Sequence, residues 1–178
     1  DGPDGVAVFV SPTKALVNQV AAEVYARFGD LQSLYGDGTS VFGYFTRDYR
    51  YKPLKCRVLV TVPECLEMLL LSPQPQFEEW RKKIKYVIFD EVHSIGDLAS
   101  GEVWEHTMSL VDSPILALSA TVRNPDDLKT WIDVRQKLQQ LQHQRQAASL
   151  ASGTSSKRSY EVALIAHHNR YADLEKSV

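Results

Sequence analysis

With 178 residues, the chain has room for one domain and an appended segment, and it can bury a full core. A 44% hydrophobic, 24% charged composition is ordinarily globular, and a net charge of -2 gives nucleic acid no global attraction, so such binding would need a local patch. Cys56 and Cys65 have no zinc-site or disulfide spacing, and no apolar run approaches a membrane span. The cysteines therefore read as reduced residues of a cytosolic or nuclear protein, with the cytoplasm the expected location.

The chain opens on Asp1-Gly2-Pro3-Asp4-Gly5, with neither an initiator methionine nor a signal peptide, which reads as a piece cut from something longer. Val6 to Val10 follows as a buried strand, closed by Ser11-Pro12-Thr13. Apolar residues at helical spacing from Leu16 to Phe28 mark a helix over Lys14 to Phe28, with Gly29 as its stop. Asp30 to Thr39 is expected to be a polar loop and Val41 to Phe45 a second strand. Thr46 to Leu54 is charged and aromatic, with no regular element assigned to it. Arg57 to Val62 is a third strand, and Pro63 opens a helix to about Leu71. Ser72 to Gln76 is a proline break, and Phe77 to Ile84 an amphipathic helical piece.

Val87-Ile88-Phe89 is a short continuous apolar run, which suits a central parallel strand buried on both faces. It stops at two carboxylates, Asp90 and Glu91, with His93 close behind. A helix around Val103 to Val111 and a strand over Pro114 to Leu118 follow, the latter ending in Ser119-Ala120-Thr121. Asn124-Pro125-Asp126-Asp127 then opens a helix carrying Leu128, Trp131 and Ile132. The character changes from Asp133 to Ser159, where five Lys/Arg face a single Asp among glutamines and small residues. A solvated helix over Gln136 to Gln146, a flexible tether over Ala147 to Ser159 and a last strand over Tyr160 to Ala166 are expected. The domain reading is a folded unit over 1–133, a basic linker over 134–159 and a strand-bearing segment over 160–178.

Alternating strands and helices indicate an α/β fold with a doubly wound parallel sheet. In such sheets ligands bind beyond the carboxyl ends of the strands. Asp90 and Glu91 would sit where a phosphate-bound magnesium ion needs hard oxygen ligands. Taken singly, an Asp-Glu pair reads more readily as a strand running into a solvated acidic turn. The same holds for each of the other strand-end stretches, since Thr13 and Thr61 can simply cap helices. Four such stretches nevertheless occur in order: Ser11-Pro12-Thr13-Lys14-Ala15-Leu16, Thr61-Val62-Pro63-Glu64, Asp90-Glu91-Val92-His93 and Ser119-Ala120-Thr121. Strands of like direction would bring them to one edge.

In this order and spacing they resemble motifs Ia, Ib, II and III of superfamily-two helicases. The DEVH form, the Ser-Pro-x-Lys-Ala-Leu start and Gly101-x-x-Trp104-Glu105 look like the superkiller branch of DExH-box RNA helicases. Within it they are most similar to the interferon-inducible antiviral group, DExD/H-box helicase sixty and its close relative. The resemblance covers Val6 to Ile132, with an echo at Arg170-Tyr171-Ala172-Asp173-Leu174. It implies a RecA-like first helicase domain, truncated at its N-terminus, from an ATP-dependent RNA helicase with a role in antiviral innate immunity. The alternative is a nucleic-acid-binding or scaffolding module that kept the fold without turnover.

The resemblance also implies roles for particular residues. Asp90 would hold the magnesium ion of ATP, Glu91 would orient the attacking water, and His93 would relay nucleotide state to Ser119 and Thr121. Pro12, Thr13, Lys14, Thr61, Pro63 and Glu64 would touch the RNA sugar-phosphate backbone without reading its sequence. Thr46-Arg47-Asp48 stands where relatives have Thr-Gly-Asp, and Arg47 adds charge at the cost of backbone freedom. Trp104 and Glu105 read as packing and loop bracing. No Gly-Lys pair occurs in the 178 residues, so the phosphate-cradling loop is missing, and these residues alone are expected not to turn over ATP. The implied partners are RNA and a second RecA-like domain of the same chain, with no membrane.

Overall fold

The computed structural model describes residues 4–34, 38–96, 101–120, 124–149 and 161–166. The chain divides into two compact units, Asp1–Val122 and Arg123–Val178. In the first, strands Val6–Val10 (β1), Ser40–Phe45 (β2), Arg50–Tyr51 (β3), Cys56–Thr61 (β4), Ile84–Phe89 (β5) and Ile115–Ala117 (β6) build one sheet. Its order is β3-β2-β4-β1-β5-β6, parallel throughout except for the antiparallel β2–β3 pair.

Helices Lys14–Phe28 (α1), Pro63–Leu71 (α2), Pro75–Lys83 (α3) and Gly101–Leu110 (α4) connect the strands. The chain runs outward from β1 to β2 through α1, and in the opposite direction from β4 to β5 and β6. Right-handed crossovers then put α1 on one face and α2, α3 and α4 on the other. The packing of α2 against α4 agrees with this. The core lies between sheet and helices: Val8, Val10, Leu59, Val60, Val87 and Phe89 from strands, Val17 and Ala21 from α1, and Leu66, Trp104 and Met108 from α2 and α4. In β5, Val87 and Phe89 are buried but Ile88 only half-buried, so this strand is less covered on one face than its apolar run suggests.

Several boundaries differ from the sequence reading for identifiable reasons. Gly29 does not stop α1 through a left-handed turn, because its φ is -59° and the chain tightens into a 3-10 turn over Gly29–Leu34. The break after α2 is short, since Pro75 is the first residue of α3, where a missing N–H costs nothing. Arg81 helps close α2 by donating to the carbonyls of Leu69, Leu70 and Ser72 at 3.2, 3.0 and 2.8 Å. Val62, not Thr61, is the residue before α2, and it makes no side-chain cap.

The charged aromatic stretch hides β3, whose tight turn is held by Thr46. Its N–H donates to the Tyr49 carbonyl at 2.8 Å, and its hydroxyl accepts from the Tyr49 N–H at 3.1 Å. Behind the turn, Phe42, Tyr44 and Tyr51 stack ring on ring, and Tyr25 of α1 meets Phe42 edge-on.

In the second unit one helix, Pro125–Ser149 (α5), replaces the expected pair of helices and includes the first residues of the expected tether. Asn124 accepts the Leu128 N–H on its carbonyl and donates from its side chain to Asp127 at 2.7 Å. The expected strand over Tyr160 to Ala166 is not formed in 161–166, which carries no regular element; Tyr160 and the rest of the tether lie outside the described residues. No described helix is long and apolar enough to cross a membrane.

Both cysteines are free and buried, and burial pushes the Cys56 thiol up to about 12. Gly43 lets the β3 hairpin close over β2, since a Cβ there would fall 2.7 Å from Cys56 Sγ and 2.8 Å from the Lys52 carbonyl oxygen. Gly43→Ala is expected to lower stability by about 1–3 kcal/mol through overpacking, read as a drop in the urea midpoint. An unchanged midpoint would show that the hairpin can lift away freely.

A candidate nucleotide and nucleic-acid edge

The parallel ladder continues beyond the strands and aligns their carboxyl ends. Ser11 N–H donates to the Thr61 carbonyl at 2.9 Å, Asp90 N–H to Val10 at 2.9 Å, Leu118 N–H to Phe89 at 2.8 Å and Val92 N–H to Leu118 at 2.9 Å. Residues far apart in sequence therefore share one edge, and among them are Asp90, Glu91, His93 and Ser119.

Asp90 is half-buried just past β5, and its carboxylate accepts the Glu91 N–H at 3.0 Å. Burial holds its carboxyl above the usual range; the Glu91 N–H pulls it down, and the neighbouring Glu91 charge adds a push upward. Glu91 has a φ of 51°, a left-handed conformation that a non-glycine side chain adopts at a cost of about 1–3 kcal/mol. That conformation breaks the strand's alternation, so the two adjacent carboxylates need not point to opposite faces.

Glu91 Oε2 is buried and lies 3.2 Å from His93 Nδ1 without completing a hydrogen bond. The same Nδ1 is 3.1 Å from Ser119 Oγ. One ring nitrogen thus faces both a carboxylate and a hydroxyl. Protonated, it donates toward either; unprotonated, it accepts the Ser119 hydroxyl. One ring thus links the acidic pair to Ser119 across two connections. Thr121, expected to share that role, lies outside the described residues. The turn Val92–Gly96 after the acidic pair is backed by α4: a Cβ on Gly101 would fall 2.3 Å from the Ile95 carbonyl oxygen. Trp104 packs 5.9 Å from Phe89, beneath the end of β5. Glu105 is exposed.

Among the described residues no group of three or more His, Cys, Asp or Glu could enclose a metal ion. Asp90 and Glu91 together still fit magnesium, which keeps several waters and is commonly held by one or two carboxylates plus substrate phosphates. Glu91 Oε2, buried without a hydrogen bond, is an oxygen that such an ion could use.

Pro12, Thr13 and Lys14 stand at the α1 N-terminus, where the Thr13 hydroxyl accepts the Leu16 N–H at 3.4 Å. Lys14 opens the helix with the charge its dipole disfavours. Asp48 offsets this through an ion pair with the Lys14 ammonium, which joins α1 to the Thr46–Tyr49 turn. Thr61 and Pro63 are buried while Glu64 is exposed. The Thr61 hydroxyl donates to the Phe45 carbonyl at 2.7 Å, so it ties β4 to β2. Thr107 of α4 donates to the Pro63 carbonyl at 3.2 Å and fixes the start of α2. Beside it Phe45, Thr46, Arg47, Arg50, Glu64, Cys65, Glu67 and Met68 line a groove of about 270 Å³.

Sequence reasoning missed the Asp48 partner of Lys14 and the β3 hairpin. The alternation of Phe42 and Tyr44 with Tyr49 and Tyr51 about an Asp-containing turn was the available signal.

A model of the DEAD/DEAH box helicase family matches residues 1–128. The chain belongs to that helicase family. An uncharacterized helicase of Caenorhabditis elegans is 42% identical over 173 residues, covering 97% of this chain and 9% of that protein. A probable ATP-dependent RNA helicase DDX60-like of Homo sapiens is 40% identical, over 98% of this chain and 11% of its own length. Human superkiller complex protein 2 is 33% identical over 70% of this chain and 9% of that protein. This helicase chain therefore spans about a tenth of the curated relatives it matches. The helicase Lhr of Mycobacterium smegmatis, solved with single-stranded DNA and AMP-PNP, superposes with a TM-score of 0.54 at 25% identity, over 70% of this chain and 18% of that one. The α/β RecA-like fold of this helicase domain, with its mostly parallel sheet, follows from the sheet order and these likenesses together.

The upward shift of Asp90 has a sign that can be checked. Its ionised form is penalised in the fold, so its contribution favours folding below the ordinary Asp range and is lost as pH rises through the raised value. Asp90→Asn keeps an acceptor for the Glu91 N–H and removes the charge. The variant is expected to be more stable than the parent at pH 7, with the advantage shrinking towards pH 4. Urea midpoints at the two pH values decide this; equal or lower stability at pH 7 contradicts the assignment.

Proposed function

We propose that this domain is part of an ATP-dependent RNA helicase motor of the superkiller branch, of the DDX60-like kind. The observation that carries the reading is the single edge on which the ladder gathers Asp90, Glu91, His93 and Ser119. The named relatives support RNA as the nucleic acid, and the AMP-PNP carried by Lhr supports ATP as the nucleotide. Asp90 and Glu91 would hold the nucleotide's magnesium ion, whose chemistry when bound is neutralisation of phosphate charge. Glu91 would orient the attacking water, and His93 would pass the resulting change to Ser119. Thr121 would share that relay.

The Gly-Lys phosphate loop and a second RecA-like domain would come from elsewhere in the longer protein. Residues 1–133 would form the motor half, 134–159 the linker and 160–178 the approach to the second half. Cytoplasmic RNA remodelling in antiviral defence is the setting that membership of the DDX60-like group would imply.

In the longer helicase, Glu91→Gln is expected to cut RNA-stimulated ATP turnover about a hundredfold or more while nucleotide binding persists, as read by steady-state turnover and by nucleotide titration. Near-normal turnover would remove Glu91 from the water-orienting role.

RNA contact at the α1 N-terminus would be electrostatic and indifferent to sequence. The 178-residue chain is expected to bind single-stranded RNA no tighter than about 10⁻⁴ to 10⁻⁶ M, weakening steeply with salt. Lys14→Ala should weaken it further, and deletion of Lys137 to Arg158 should mostly spare it. Loss only on the deletion would assign the binding to the basic linker instead.

A further inference from the structure

We propose that Tyr49, at the tip of the β2–β3 hairpin, is a stacking platform for a base of single-stranded nucleic acid running along the same edge. This rests on the RNA reading above. Tyr49 is 66% exposed, the most exposed tyrosine among the described residues, although an aromatic ring gains much from burial. The other hairpin rings have partners: Tyr51 stacks on Phe42 and Tyr44, whereas Tyr49 takes no part in that cluster.

The backbone that carries the exposed ring is also held in place. Two backbone-anchored bonds to Tyr49 and a third, from the Thr46 hydroxyl to the Tyr49 carbonyl at 3.2 Å, lock the turn that carries it. The Lys14–Asp48 pair then ties this turn to the N-terminus of α1. Little ordering of the backbone is left to be done when a ligand arrives.

Charge favours the ligand class. Within Thr46 to Lys52, Arg47, Arg50 and Lys52 outnumber Asp48, which is already paired with Lys14, while Glu64 and Glu67 line the groove beside Arg47 and Arg50. On a chain of net charge -2, the turn itself is a cationic segment interleaved with an exposed ring. Basic groups following a backbone, with aromatic faces for successive bases, are the general arrangement for sequence-tolerant binding of single strands. Arg50 is exposed, lies over the Phe45 ring at 5.9 Å and lines the groove. A single-stranded segment with phosphates near Lys14 would meet Tyr49 within the same ion-paired unit. The ring recognises the face of a base, so the contact carries affinity with little sequence preference.

The test titrates the 178-residue chain and its Tyr49→Ala, Tyr49→Phe and Lys14→Ala variants with two fluorescent RNA 12-mers, oligouridylate and a matched strand of abasic residues. The side chain of Tyr49 takes no part in the turn's hydrogen bonds, and circular dichroism checks that each variant is folded. Tyr49→Ala is expected to weaken oligouridylate binding about five- to tenfold, with Tyr49→Phe close to the parent and abasic binding nearly unchanged. Binding that depends on Lys14 but is indifferent to Tyr49→Ala overturns the stacking proposal and leaves the edge reading intact. Equal losses on both strands also overturn it, because the ring would then act through folding or a protein contact. Failure of the parent chain to bind either strand overturns the edge reading, and this proposal with it.

Discussion

The parallel ladder that overshoots the ends of β4, β1, β5 and β6 is the constraint on which the candidate site depends. Bonds from Ser11, Asp90, Leu118 and Val92 carry the sheet's register into what would otherwise be loops. Backbone groups at a buried sheet edge must find partners, and here they find one another. Asp90 is fixed relative to β1, and the segment before Ser119 is fixed relative to β5. The 3.1 Å approach of His93 to Ser119 is a consequence of that register, since the two residues belong to different connections.

Around this frame the fold accepts local costs where the chemistry would lie. Glu91 adopts a left-handed backbone, Asp90 carries charge in a partly desolvated place, and Glu91 Oε2 is buried without a hydrogen bond. Each lowers stability, and all fall within two adjacent residues. The surroundings are correspondingly firm: Trp104 under Phe89, and Gly101 in close approach to Ile95.

The other half of the edge is organised differently. Lys14 would be unfavourable at the start of α1, and Asp48 compensates it from a hairpin that belongs to another part of the sheet. An ion pair this exposed contributes little to stability. Its effect is positional, holding the Thr46–Tyr49 turn against the helix start.

Much of the fold was legible from the chain alone because the strands β1, β4 and β5 are short apolar runs bounded by Pro, Ser or carboxylates, and because helices such as α1 repeat apolar residues at helical spacing. Those are local properties of backbone and side chain. The place of Asp90, Glu91 and His93 just past an apolar strand was legible for the same reason, whereas the roles expected of them came only from the family resemblance. Thr61 shows what local reading omits: the neighbouring strand supplies the Phe45 carbonyl that captures its hydroxyl. The Lys14–Asp48 pair and the β3 hairpin were equally out of reach, because each depends on which strands become neighbours in space. Pairing of α5 into one continuous helix also went against the compositional break at Asp133, since a helix needs no change in backbone bonding where its surface turns from apolar to glutamine-rich. The sequence thus determined at which strand ends the candidate residues lie. Only the tertiary structure decided which of those groups remain free to act, because hydrogen bonds and ion pairs between distant segments form only after the sheet has set its register.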